Sequence, residues 1–202
     1  MNLLPLLVVT SSLALAISGK MIFHDKRAQP YGIDATVKSN GIAFTYIKAT
    51  EGLSMCSTIF FFSQYTGATQ AGLIRGGYHF AHPDSSSGAT QANFFLAHGG
   101  GWSGDGITLP GALDIECIQS SGAECYGLSD SAMVAWITDF SNTYHVATTR
   151  PLWIARYASS IGTLPAGWCY ATFWQYADSG PNPGDQDLFN GDAAGLNRMA
   201  TG

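Results

Sequence analysis

Leu109-Pro110-Gly111-Ala112-Leu113-Asp114-Ile115-Glu116 reads as an apolar strand that ends in two carboxylates one residue apart. On an extended chain residues i and i+2 share a face, about 6 to 7 Å apart. Like charges at that spacing raise one another's pKa, so one carboxyl keeps its proton near neutral pH while its neighbour ionises. Such a pair is equipped for general acid catalysis, and two carboxyls around a glycosidic bond are its commonest use. The plainer alternative is two polar residues at a strand end that has reached water. The rest of the chain must decide between them.

Outward from this stretch, strand and helix alternate. Residues 21–25 suit a short first strand ending in Asp25, and 34–40, closed by Gly41, suit one or two turns of helix. Residues 42–47 are rich in strand formers and end at Lys48-Ala49-Thr50-Glu51-Gly52. A helix over 59–71 and a strand over 73–80 follow; Gly76-Gly77 in that strand allows a close backbone approach or a bulge. Ser87 is placed to cap a helix over 89–98. The pentapeptide Gly-Ala-Thr-Gln-Ala begins at both Gly67 and Gly88, and both copies read as helix starts. Beyond the acidic pair, Met133, Trp136, Ile137, Phe140 and Tyr144 form one stripe of an amphipathic helix capped by Ser129 or Asp130. Residues 151–157 and 169–176 read as strands, and 181–202 as a turn-rich tail carrying Asp185 and Asp187. This alternation predicts a parallel sheet with crossover helices, and one core in a chain of this size favours a barrel over an open sheet. In such barrels the strand C-termini hold the active site. Charged and aromatic residues collect at those ends: Asp25, Lys48 with Glu51, Tyr78 with His79, Asp114 with Glu116, Arg156 with Tyr157, and Trp174 with Tyr176.

Composition narrows the partners. The 202 residues suit one domain with a substantial core, 11% of them are charged and the net charge is -5, with no basic stripe. Nucleic acid and anionic membrane surfaces are excluded as expected partners. Residues 1–19 are apolar up to the boundary and read as a secretory signal peptide too short to span a bilayer. That leaves 20–202 as the domain of an extracellular protein, taken as a monomer and not membrane-bound after the signal is removed. Of four cysteines, Cys117 and Cys125 could close the loop after the acidic pair, while Cys56 and Cys169 either pair or stay free. His79 and His82 sit three apart, which on a strand sends their rings to opposite faces and argues against a shared metal. Neither a nucleophile elbow nor a phosphate-binding glycine pattern is present.

Four motifs in order, Tyr46-Ile47-Lys48-Ala49-Thr50-Glu51-Gly52, Gly77-Tyr78-His79-Phe80, Leu113-Asp114-Ile115-Glu116 and Phe173-Trp174-Gln175-Tyr176, resemble glycoside hydrolase family 25, the Chalaropsis-type lysozymes, and its secreted fungal members most. The resemblance runs from about Asp25 to Gly202. It implies an irregular TIM-like α/β barrel that cleaves the β-1,4 bond between N-acetylmuramic acid and N-acetylglucosamine in bacterial peptidoglycan, without metal or organic cofactor. It implies Glu116 as proton donor, and Asp114 as stabiliser of the oxocarbenium-like transition state or as the group that orients the substrate's N-acetyl group. Asp185, with Asp187 second, matches the family's C-terminal aspartate, and Asp25 its first-strand aspartate by distance to Lys48. Tyr78, Glu51, Arg156, Tyr157, Trp174 and Tyr176 are the expected substrate-binding residues, with Trp174 and Tyr176 on the cleft floor. Between Tyr144 and Pro151 the family carries a further strand, its loop and a cysteine, so the barrel is expected to be short of a strand. The rival readings are a non-catalytic glycan-binding relative and a chitinase-like hydrolase.

Overall fold

The structure, a computed structural model, describes residues 20–23, 41–55, 58–116, 124–145, 151–164 and 168–202. The expected signal segment at 1–19, the helix read at 34–40, Asp25, Cys56 and Cys117 lie outside the described residues. The elements are β1 (Lys20–Phe23), β2 (Ile42–Glu51), β3 (Ser54–Met55), α1 (Thr58–Gln70), β4 (Ile74–Phe80), α2 (Gly88–Ala97), β5 (Ala112–Asp114), a 3-10 turn (Glu124–Gly127), α3 (Asp130–Thr143), β6 (Trp153–Ala155), β7 (Phe173–Ala177), β8 (Asp185–Phe189) and α4 (Ala193–Thr201). The last strand and the last helix replace the expected turn-rich tail. Aspartate is poor in strands, so Asp185-Gln186-Asp187 hid β8.

All eight strands join one sheet in the order β5-β4-β2-β1-β8-β7-β6, with β3 on β2. The expected parallel sheet is corrected to a mixed one, because β8 runs antiparallel to both β1 and β7 and β3 antiparallel to β2. Residues 178–184, which link β7 to β8, are too few for a parallel crossover. The sheet also curls. Tyr46 on β2 and Trp153 on β6 are four places apart in strand order, about 19 Å across a flat sheet, yet their ring centroids are 5.1 Å apart. Phe44, Phe173 and Phe189 fill the inside with them. A Cβ on Gly76 would lie 2.6 Å from the Tyr46 ring, so the glycine admits the close approach expected there. The Tyr46 hydroxyl, having crossed the interior, donates to the Pro110 carbonyl at 2.8 Å. Among the described residues no pairing joins β5 to β6, and the sheet stays open between them.

The outer face packs against helices. Ile47, Ala49, Leu113 and Ile115 meet Phe61 of α1, Ala92 and Phe95 of α2, and Trp136, Ile137 and Phe140 of α3. Met133 and Tyr144 extend the α3 stripe onto the same cluster, as its 3.6-residue period requires. Ser87 and Ser129 cap α2 and α3, accepting from Thr90 N and Ala132 N. The two pentapeptide copies part company: Gly88 opens α2 behind its serine cap, whereas Gly67 falls inside the last turns of α1, already helical from Thr58.

Buried in this outer layer, His79 stacks on Phe140 with ring centroids 5.4 Å apart. The Gln91 side-chain nitrogen donates to the His82 carbonyl, which leaves Gln91 Oε1 to accept from His79 Nε2 at 2.9 Å. Nδ1 is then the acceptor for the Thr50 hydroxyl at 2.7 Å, and the ring is neutral. Burial lowers its pKa to about 4, against a smaller upward pull from Gln91. The unfolded chain therefore takes up the proton first, so stability present above pH 6.5 is lost as pH falls from there towards 4, by about 3 kcal/mol. Denaturant titrations of the wild type and of His79→Gln between pH 4 and 7 should show the steeper acid loss in the wild type. Parallel curves would remove this assignment.

Candidate active site

A bulge in β2 builds the first part of the site. β2 pairs with β4 residue for residue up to Lys48 opposite Tyr78, then skips Ala49, so that Thr50 faces His79 and Glu51 faces Phe80. On a regular strand Lys48 and Glu51 would point to opposite faces; the extra residue returns them to one. The Lys48 ammonium meets Glu51 Oε2 at 2.9 Å and lies 4.1 Å from the centre of the Phe80 ring. Glu51 Oε1 faces His82 Nε2 at 3.3 Å, so Glu51 joins a lysine to a histidine. His79 and His82 thus serve different faces, as their spacing predicts.

The two acids come next. Leu113 and Ile115 are buried against the helices, which turns Asp114 and Glu116 together to the inner face. In register, Glu51, Phe80 and Asp114 form one row across β2, β4 and β5. Asp114 is half-buried and Glu116 exposed. Burial holds the Asp114 carboxyl well above the usual carboxylate range; Glu116 adds to this, Lys48 opposes it, and Asp185 and Glu51 push it up further.

Across the curl, Asp185, Asp187 and Phe189 share a face of β8. Asp187 is fully buried and accepts from Trp153 Nε1 at 3.0 Å, while its Oδ2 has no hydrogen-bond partner among the described residues. Burial raises this carboxyl too, with Trp153 opposing and Asp185 and Asp114 adding. Just past β6, the Tyr157 hydroxyl accepts from Gln175 Nε2 at 3.4 Å. Its phenol is raised by burial first and then by Asp185 and Glu116. β5 and β6 are the two edges of the sheet, so that influence of Glu116 on Tyr157 is a consequence of the curl.

The structure therefore gathers Asp114, Glu116, Glu51, Tyr78, Tyr157 and Asp185 around the inner end of the sheet. It does not bring Trp174 there. Trp174 pairs in register with Ile154 and Leu188, on the face opposite to Phe173 and Gln175, and lines a cavity of about 260 Å³ with Ile161, Leu164, Tyr170 and Asn190. Its indole donates to the Arg156 carbonyl at 3.0 Å, just past the end of β6. Tyr176 sits at a bulge between Gln175 and Ala177, and its phenol is raised by burial and then by Asp187. Strand alternation alone would have put Gln175, not Trp174, on the inside. Asp25 lies outside the described residues. Sequence reasoning missed His82 and Trp153 as neighbours of the acids, bonded to Glu51 and Asp187; the Tyr126 hydroxyl donates to the Ala81 carbonyl at 3.0 Å, and the Ala81 amide donates to the Asp114 carbonyl. Cys125 is disulfide-bonded, and Cys169 is free and exposed.

The family model for glycosyl hydrolases family 25 matches residues 32–150. The N,O-diacetylmuramidase of Arthroderma benhamiae is 45% identical over 236 aligned positions, spanning 98% of this chain and 99% of that one. The N,O-diacetylmuramidase of Chalaropsis sp is 46% identical and spans 86% of this chain and 95% of its own. A family GH25 lysozyme from Aspergillus fumigatus superposes with a TM-score of 0.84 at 45% identity, over 91% of this chain and 99% of that structure. The curled mixed sheet, the inward acidic pair and these likenesses agree, and the chain belongs to glycosyl hydrolase family 25.

Proposed function

We propose that the chain is a secreted lysozyme that hydrolyses the β-1,4 bond between N-acetylmuramic acid and N-acetylglucosamine in bacterial peptidoglycan, with 1–19 its signal peptide and 20–202 its catalytic domain. The observation that carries this reading is the Asp114 and Glu116 pair, turned to one face with Glu116 open to solvent and Asp114 held protonated by burial. The relatives named N,O-diacetylmuramidase support it. Glu116 is the proton donor to the leaving oxygen. Because the pair retains a proton, and a bound saccharide strips water from the exposed carboxyl, cover by substrate favours the protonated form of Glu116 at the moment it is needed. Asp114, left beside it, stabilises the oxocarbenium-like centre or orients the N-acetyl group, with Asp185 of β8 a further catalytic carboxyl and Asp25 assigned to the same role by the family resemblance alone. Tyr78, Glu51 and Tyr157 line the cleft. This chemistry needs carboxyls alone, with no metal or organic cofactor.

We read the curl as an irregular barrel short of one strand. The open seam lies between β5 and β6, where α3 is followed almost at once by Pro151. The alignment with the Arthroderma benhamiae relative runs to 236 positions against 202 residues here, in keeping with a missing segment.

Purified protein should clear suspensions of bacterial wall, and Glu116→Gln should lower the rate about 10²- to 10⁴-fold while wall binding persists. Wild-type binding without clearing would instead favour a glycan-binding protein, and cleavage of chitin but not of wall a chitinase-like one. Lys48→Met removes the cation that opposes Asp114 protonation. The limb of the pH–rate profile on which Asp114 ionises should then move to higher pH; an unmoved limb would show that Lys48 does not act on the acids.

A further inference from the structure

The 3-10 turn between β5 and α3 holds a backbone outlier. Cys125 and Tyr126 have φ of 47° and 61°, both left-handed and neither glycine, and Gly127 follows at 69°. Side chains with a Cβ rarely adopt this region, and bulky ones least of all. Such residues persist where the surroundings impose them, and they gather at functional sites. Here the surroundings are visible. Cys125 is disulfide-bonded. The Tyr126 hydroxyl donates to the Ala81 carbonyl at 3.0 Å, and the Ala81 amide in turn donates to the Asp114 carbonyl at 2.9 Å. Its ring meets the His82 ring edge-on with centroids 6.1 Å apart, and His82 faces Glu51.

We infer that Tyr126 is a substrate-binding residue of this hydrolase: its half-buried ring forms the wall of the cleft beside Asp114 and Glu116, fixed there by the left-handed turn and the Cys125 disulfide. A leucine or valine would cover apolar surface equally well without this strained backbone. What the tyrosine adds is a rigid ring face with a hydroxyl to tie it down, the kind of surface on which a pyranose lies. The hydroxyl is spent on Ala81, and the phenol is held above its ordinary range by burial and then by Asp114, Asp84, Glu116 and Glu51. Tyr126 therefore offers its ring and not its proton.

The test uses a soluble fragment of peptidoglycan glycan, alternating N-acetylglucosamine and N-acetylmuramic acid, with binding followed by tryptophan fluorescence in Glu116→Gln so that the fragment stays uncut. Adding Tyr126→Asn removes the ring while keeping a residue that tolerates the left-handed region. The Kd should rise about tenfold, with the thermal midpoint unchanged or higher. Tyr126→Phe keeps the ring and should leave the Kd near its starting value. In the otherwise wild-type protein, Tyr126→Asn should raise KM with little change in kcat and leave the pH–rate profile in place. A Kd unmoved by Tyr126→Asn overturns the inference, and so does a loss that appears in kcat together with a lower thermal midpoint. The inference rests on the muramidase reading, but the two fail differently. A fragment bound yet left uncut by the wild-type chain ends that reading and leaves Tyr126 to be judged on Kd, whereas no binding by Glu116→Gln ends both.

Discussion

One ammonium among carboxyls sets the terms at the inner end of the sheet. Glu51, Asp114, Glu116, Asp185 and Asp187 converge there, and Lys48 pairs with Glu51 and opposes the protonation of Asp114. Arg75 is spent elsewhere, on Thr69, Thr108 and the Tyr65 ring. Lys48 opposes the protonation of Asp114, yet burial wins and the carboxyl stays well above its ordinary range. The reason lies in geometry: Glu51 engages the ammonium at 2.9 Å and Phe80 supports it from below, so its charge is shared before it reaches Asp114. A lysine bonded directly to Asp114 would have ionised it. The ion pair thus keeps the cation near enough to pull on Asp114 and far enough to leave that carboxyl its proton.

That arrangement depends on one residue of slippage in β2. Lys48 and Glu51, three apart, belong on opposite faces of a regular strand, and the bulge at Ala49 is what reunites them. A second irregularity, between Ile42 and Phe44, moves Phe44 and Tyr46 to the inside while Ile42 packs outside. Neither bulge leaves a mark in the sequence, because alanine at 43 and 49 fits a regular strand as well as a bulged one. The readable parts were those with a period or a steric demand: the α3 stripe, the serine caps, Gly76 beneath Tyr46, and the acids at 114 and 116 flanked by apolar 113 and 115. β8 carries no apolar alternation, since aspartates take two of its three inward positions. Trp174 was placed in the cleft by its motif, although alternation with Phe173 and Gln175 turns it the other way. Tyr126 follows a cysteine in a turn whose handedness no composition announces.

An open seam would ordinarily weaken a curled sheet, because its edge strands leave backbone groups unpaired. Here β5 and β6 are only three residues each, which keeps those rows short. The curl is secured from within. Tyr46 crosses from β2 to touch Trp153 on one edge and Pro110, just before β5, on the other. Trp153 is in turn bonded to Asp187 on β8. Aromatic rings spanning the interior therefore tie together the strands that missing hydrogen bonds leave apart, and dispersion between large buried rings is well suited to this because it does not depend on register.

The two faces of the sheet place opposite demands on pH. Outside, His79 must stay neutral between Thr50 and Gln91, and the fold resists acid poorly on its account. Inside, Asp114 and Asp187 must keep protons that an unfolded chain would release, so their contribution declines as pH rises above the ordinary carboxylate range. Asp187, with Trp153 its only hydrogen-bond donor among the described residues, adds to that decline for as long as it keeps its proton while the unfolded chain has released its own, and ceases to add once the buried carboxyl ionises. The acid side of the stability curve is therefore governed by a helix-facing histidine and the alkaline side by the inner carboxyls. The same retention of protons inside that limits alkaline stability is what leaves the Asp114 and Glu116 pair with a proton to give.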